Sequence, residues 1–296
     1  MKKNNFLIAG MISLALLTGC SGGKDLSDAY GNFEATTLVV SARGSGQLEW
    51  FRVEEGMSLA QNDTVGLVDT TSLYLQKKTL LAQMSTIRAK ASGLTARKKV
   101  MQRQLKNMLV DQKRVQGLFE GHAATQQQLD DINGKVDVMK LQIRELEVQR
   151  RSVLKELDVT RAQINTLNDR IAESFIISPA GGVVLEKYAE AGELAQPGKA
   201  LFKLGDMKNM FLRVYVDETL LPEIRTGGKA QVLIDTPDGR TDTLSGTVAW
   251  VSGEAEFTPK IIQTRKERVN LVYAVKIRVQ NDGRLKIGMP GEANFR

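Results

Sequence analysis

One cysteine and one histidine are all that this chain of 296 residues offers to sulfur or imidazole chemistry. Cys20 has no partner for an intrachain disulfide, and Cys20 with His122 cannot furnish a Cys/His zinc site. The two lie in unrelated segments, which argues against a Cys–His nucleophile as well. Aromatic residues make up 5% of the chain and are not interleaved with the basic ones. The net charge of +7 therefore reads as a solvated surface of mixed charge, with no nucleic-acid footprint. There is no Gly-x4-Gly-Lys-Ser/Thr run to cradle a nucleotide. The adjacent acids Asp130 and Asp131 sit at a helix start, where carboxylates favour the macrodipole, and nothing organises a general acid, base or nucleophile. The expectation is a protein that is not an enzyme and has no metal and no cofactor.

What the chain does have is a heptad. Leu73, Leu80, Ile87, Leu94, Met101, Met108 and Val115 stand seven apart. After a break at Gly117–Thr125 a second ladder runs Leu129, Val136, Ile143, Arg150, Leu157, Ile164, Ile171. Its companions are Ile132, Met139, Leu146, Val153, Thr160 and Leu167. Spacings of three and four keep an apolar seam on one helix face only if the helix pairs and supercoils. Two such helices joined by a short turn predict an antiparallel coiled-coil hairpin, an arm of roughly 70 Å at 1.5 Å per residue. Arg150 interrupts the seam, either snorkelling out of it or pairing with Glu145, Glu147 or Glu156; a register-setting role is one expectation.

The N-terminus reads as an address. Lys2 and Lys3 precede the apolar run Phe6–Leu17, which is short for a membrane span and fits a signal peptide. It ends in Leu17-Thr18-Gly19-Cys20, which resembles a bacterial lipobox. That resemblance implies cleavage before Cys20 and lipidation of it, followed by a flexible tether through Ser21-Gly22-Gly23-Lys24.

The flanks of the predicted hairpin repeat one another. Gly44-Ser45-Gly46-Gln47-Leu48, Glu55-Gly56 and Leu59-Ala60-Gln61 precede it. Ala180-Gly181-Gly182-Val183-Val184, Ala191-Gly192 and Leu194-Ala195-Gln196 follow it. Short β-rich runs with glycine turns read as strands, and neither half can bury its face alone. The halves are expected to fold together as a small two-fold β-sandwich. This layout resembles the lipoyl/biotinyl-carrier fold interrupted by a coiled coil, as in the periplasmic adaptors, also called membrane fusion or HlyD-like proteins. The turn that would carry a modifiable lysine has become the arm, so neither lipoylation nor biotinylation is expected.

From Asn209 onward the pattern is β again. Phe211–Val216 alternates, and Asp217 is placed to cap a short helix through Ile224. Strands are expected at Lys229–Ile234, Thr243–Ser252, Leu271–Val279 and Gly288–Phe295. With a strand near Phe33–Ser41 these make a small β-barrel. The run Phe257-Thr258-Pro259-Lys260, Gln263-Thr264-Arg265 and Arg268 to Val275 is similar to adaptors that serve ABC-type exporters. The fold class expected is α+β: a mainly β body with a long α-helical hairpin. The boundaries expected are a signal peptide at 1–19, a lipidated tether at 20–29, and a strand at 30–41 joining the barrel. Lipoyl-like halves follow at 42–70 and 174–206, around a hairpin at 71–173, with the barrel at 207–296.

Around the turn the chain reads Arg114-x3-Leu118-x6-Thr125-x3-Leu129, similar to the adaptor tip motif Arg-x3-Leu-x6-Ser-x3-Leu with threonine in the serine position. The resemblance implies that Arg114, Leu118, Thr125 and Leu129 dock on a TolC-type outer-membrane channel. Arginine suits bidentate contact, the leucines suit an apolar groove, and Thr125 suits a helix cap. His122 reads as a solvated turn residue. The resemblance further implies a non-enzymatic subunit of a tripartite efflux or secretion system, lipid-anchored in the periplasm, most naturally to the inner membrane. There it would assemble as a hexameric ring with an ABC-type transporter. A proton-driven pump partner and a structural coiled-coil envelope lipoprotein are the alternatives, although a mere spacer has no need of the split repeat.

Overall fold

A computed structural model describes residues 27–257 and 271–295. Cys20 with its tether, and positions 258–270 of the exporter-like stretch, lie outside the described residues.

The two heptad ladders form two long helices, α1 (Thr71–Glu120) and α2 (Gln126–Glu173), of 50 and 48 residues. At 1.5 Å per residue each is about 70–75 Å long. Leu129, Val136, Leu146, Val153, Thr160, Ile164 and Leu167 of α2 are buried, as are Met84 and Ile87 of α1. Thr160 satisfies its buried hydroxyl by donating to the carbonyl of Glu156 at 3.0 Å. Polar cross-links flank the seam: Lys98 donates to Glu147 at 3.0 Å, and Gln112 donates to Asn133 at 2.7 Å. The acids near Arg150 are engaged elsewhere, Glu147 with Lys98, Glu156 with Lys90 at 3.9 Å, and Glu145 with Gln149.

The body is mainly antiparallel β, as the repeat and alternation patterns predict, and the chain divides into two compact units. One unit is Val39–Lys203, which includes the helices. Its strands are β2 (Gly46–Phe51), β3 (Ser58–Leu59), β4 (Thr64–Val68), β5 (Phe175–Ile177), β6 (Gly182–Lys187) and β7 (Leu194–Ala195). β1 (Ala29–Ser41) and β8 (Ala200–Val216) run through both units. The internal repeat resolves into a reciprocal exchange. β3 of the first half pairs with β6 of the second, Ser58 opposite Val183. β7 of the second half pairs with β2 of the first, Gly46 opposite Ala195. Gly56 donates its N–H to the Val184 carbonyl at 2.8 Å, and Gly192 donates to the Leu48 carbonyl at 2.7 Å. Both glycines hold positive φ, +84° and +91°, which a side chain disfavours. Each half thus supplies the pairing edge that the other lacks. The shared core includes Leu48, Phe51, Val53, Val68, Val184, Leu201 and Phe202, with the two phenylalanine rings 6.1 Å apart.

The other unit is formed by the residues up to Leu38 and from Leu204 on. Its further strands are β9 (Lys229–Asp235), β10 (Thr241–Val251), β11 (Glu256–Phe257), β12 (Leu271–Gln280) and β13 (Pro290–Asn294). The hydrogen-bonded order is β12-β10-β9-β13-β1-β8, and β8 also pairs with β12, so the order returns on itself. Met210, Leu212, Val214 and Val216 alternate inward from β8 to meet Phe33, Val232, Ile277 and Leu285. Gly31 has to be glycine, because a Cβ there would collide with the Arg213 carbonyl. The expected helix after Asp217 is a single 3-10 turn, Leu221–Glu223, with no side-chain cap. Pro222 brings no N–H to extend it.

Candidate functional site: the hairpin tip

The arm ends in two caps built back to back. α1 stops where His122, at φ +57°, takes the left-handed conformation, one residue after Gly121, which stays at φ −82°. Histidine is among the few side chains enriched at positive φ. The His122 N–H then reaches the Phe119 carbonyl at 3.0 Å, and the Ala123 N–H reaches the Leu118 carbonyl at 2.7 Å. This is the paired-bond ending of a Schellman motif, and it satisfies carbonyls that the helix would leave open.

α2 starts with a complete capping box. The Thr125 hydroxyl accepts from the Gln128 N–H at 3.3 Å, and the Gln128 side chain accepts from the Thr125 N–H at 2.8 Å. The cap role of Thr125 follows from the sequence alone. Gln128 was missed there, although the Thr-x-x-Gln spacing signals it.

The four motif residues separate by burial. Leu118 is 46% exposed, in the last turn of α1. Leu129 is 8% exposed and closes the end of the coiled-coil seam from α2. Arg114 extends into solvent and, among the described residues, pairs only with Asp111, 3.2 Å away on its own helix. Thr125 is exposed and spends its hydroxyl on the cap. Asp130, just past the first turn of α2, accepts from Gln126 at 2.8 Å. The tip therefore presents an aliphatic side chain, a guanidinium and a threonine methyl on a backbone whose own polar groups are largely satisfied. That is a surface suited to docking against another protein, with a compact turn that needs no partner to fold. Among the described residues no three His, Cys, Asp or Glu side chains gather as a metal site, and no helix is long and apolar enough to cross a membrane.

No protein-family model matches the chain. It is 26% identical over 323 aligned positions to a UPF0194 membrane protein of Yersinia enterocolitica, spanning 98% of both chains. Among solved structures it resembles MacA from Actinobacillus actinomycetemcomitans, with a TM-score of 0.65 at 17% identity. That match covers 90% of this chain and 78% of the other. It also resembles the membrane fusion protein Spr0693 from Streptococcus pneumoniae R6, with a TM-score of 0.55 at 12% identity, over 90% and 98% of the two chains. The fold is that of the membrane fusion proteins: two long helices on a mainly antiparallel β body.

Proposed function

We propose that the chain is a periplasmic adaptor of a tripartite efflux or secretion system. It links an inner-membrane ABC-type transporter to a TolC-type outer-membrane channel and forms part of the conduit wall between them. The observation that carries this reading is the tip. On a fold shared with membrane fusion proteins, an arm of about 70 Å ends in an exposed Leu118 beside a solvent-directed Arg114. Single scattered leucines on a surface are ordinary; one at the end of so long a lever, over a pre-capped turn, is placed to contact a partner.

In this reading Val39–Lys203 holds a lipoyl-like β-sandwich split by the arm, and the other unit is an adaptor β-barrel. The domain limits follow the sequence: lipoyl-like halves at 42–70 and 174–206, the hairpin at 71–173 and the barrel at 207–296. Cys20, freed by cleavage at 19, carries the lipid that holds the body at the inner membrane, and six copies close the ring. Leu118, Arg114 and the Thr125 methyl meet the channel, while Leu129 from within the seam holds the turn in shape. The role is mechanical and non-catalytic.

The test is Arg114→Glu. Among the described residues Arg114 pairs only with Asp111, on an exposed face, so the variant keeps its helix content and loses less than about 1 kcal/mol of stability. Reversal of the charge at the channel contact abolishes export of the system's substrate. Normal export by a folded, normally abundant Arg114→Glu chain would remove Arg114 from the docking site.

A further inference from the structure

The sequence intermixes the charges of the arm, and folding sorts them by flank. From Thr71 to Val110, α1 carries nine Lys or Arg and no Asp or Glu. In its middle Arg88, Lys99 and Lys106 recur at spacings of eleven and seven, which keep them on one helix face. On α2, Lys140, Arg144 and Arg151 recur at four and seven. All of these residues are exposed. The contact between Lys98 and Glu147 puts the two rows on the same flank of the hairpin. Lys99 follows Lys98 around α1, and Lys140, Arg144 and Arg151 stand seven before, three before and four after Glu147. The charges of Arg151 and Arg150 accordingly act on the Glu147 carboxylate together with that of Lys98.

The cross-links Lys98–Glu147 and Gln112–Asn133 fix which residues stand level along the arm. On that scale Arg151 stands level with Leu94, Arg144 with Met101 and Lys140 with Leu105. The cations of both helices thus form one straight stripe from Arg88 to Lys106, about 27 Å long, with Asp158 at one end and Asp137 at the other. The acid within it is Glu147, already held by Lys98. On the opposite flank, over the same span, Lys90 and Arg97 stand against Glu145 and Glu156, and the charges balance. Among the described residues the ion pairs of this stretch are Lys90–Glu156, Lys98–Glu147, Lys140–Asp137 and Lys155–Asp158. Arg88, Lys99, Lys106, Arg144 and Arg151 are left with no acid of their own. Like charges four apart, such as Lys140 and Arg144, destabilise a helix, and an anionic partner laid along the stripe relieves that repulsion.

We infer that this flank of the arm binds a linear polyanion lying lengthwise along it, and that the polyanion is the carboxylate-bearing peptidoglycan of the cell wall. The class follows from what the stripe has and what it lacks. Its three arginines suit bidentate contact with carboxylates. No aromatic residue lies between Tyr74 and Phe119 of α1 or anywhere in α2, so nothing here stacks on the bases of a single-stranded nucleic acid. The exposed aliphatic residues Leu141 and Val148 lie on the outer face of α2 and not between the cations, so the stripe has no wedge to enter a bilayer. It ends about 20 Å short of Glu120, where α1 stops, and is therefore separate from the tip. The inference rests on the proposed function in one respect: an arm that crosses the periplasm passes through the wall, and its middle is the part that meets it.

The test is co-sedimentation of the detergent-solubilised full chain with isolated cell-wall sacculi. The chain pellets with them at low ionic strength, and the bound fraction falls as salt screens the stripe. Lys99→Gln, Arg144→Gln and Arg151→Gln together lower it severalfold with helix content unchanged. Arg97→Gln, Arg103→Gln and Lys155→Gln remove the same charge from elsewhere on the arm and leave binding as it was. Sacculi whose carboxylates have been amidated retain the unaltered chain no better than native sacculi retain the stripe variant. Four results overturn the inference: no binding to sacculi, equal loss in the two triple variants, undiminished binding to amidated sacculi, or tighter binding to duplex DNA than to sacculi through the same three residues. The readout needs neither channel nor transporter. Sacculus binding by a chain that captures no channel from Leu118 would therefore remove the adaptor reading and keep this one, and channel capture without sacculus binding would do the reverse.

Discussion

Lys98 and Glu147 face one another across the arm, ammonium to carboxylate at 3.0 Å, and so tie the middle of α1 to the middle of α2. The Lys98 hydrogen bond, reinforced by its charge, holds the Glu147 carboxyl below the usual glutamate range. A depressed carboxylate favours the folded state above its unfolded pKa, and that contribution is lost as pH falls through the folded value. Carboxyl NMR titration is expected to place Glu147 below an ordinary glutamate, and Lys98→Met to move its midpoint upward. No movement would mean that the contact does not persist in solution.

The seam and the tip predict opposite responses to the same truncation. Leu146 is 4% exposed and Leu129 8%, so Leu146→Ala and Leu129→Ala each cost about 2–4 kcal/mol, for lost burial and the cavity left behind. Leu118 is about half exposed, and Leu118→Ala costs less, about 1 kcal/mol. Chemical denaturation followed by the helical signal ranks the three. A Leu118→Ala chain as unstable as Leu129→Ala would place Leu118 in the fold's interior and outside any docking surface.

The two caps of the turn are separable. Thr125→Ala removes the hydroxyl that accepts from Gln128 and is expected to cost roughly 1 kcal/mol, whereas Thr125→Ser keeps the cap. His122→Gly relieves the left-handed strain at φ +57° and gains up to about 1 kcal/mol, and His122→Val loses stability because a branched side chain fits that backbone poorly. Equal stability of the glycine and valine chains would argue against the Schellman ending.

The reciprocal repeat makes a symmetry prediction. Gly56→Ala and Gly192→Ala place a side chain at matching positive φ with no crowding in the way, so each costs about 1–2 kcal/mol for backbone strain alone. Thermal unfolding of the two variants is expected to shift by similar amounts. A large inequality would mean that the two halves are not energetic equivalents.

The arm was the most legible part of the chain, because a seven-residue ladder constrains both helix and partner over many turns. Its end was less so. The break at Gly117 suggested an early stop, yet α1 runs on to Glu120, and the residue that ends it is His122 at positive φ, with Gly121 still at negative φ. The four tip residues were read as a set from their spacing, but spacing carries no burial. Leu118 and Leu129 look alike in sequence and differ in exposure because the seam at the tip closes over one and leaves the other out. The repeated glycines pointed to two halves folding together. The exchange of β3 and β7 between them was not legible, since strands of two residues have no periodicity to read. Proline at 222 also overruled the cap expected from Asp217.

The most direct measurement of the central claim is photo-crosslinking in living cells with a light-reactive residue at Leu118. The adaptor reading predicts covalent capture of an outer-membrane channel, with an inner-membrane ATPase complex co-purifying in the same assembly. Capture of the channel together with a proton-driven pump keeps the adaptor and changes its energy source. A chain that is exported, folded and abundant, yet captures no channel from this position, contradicts the account.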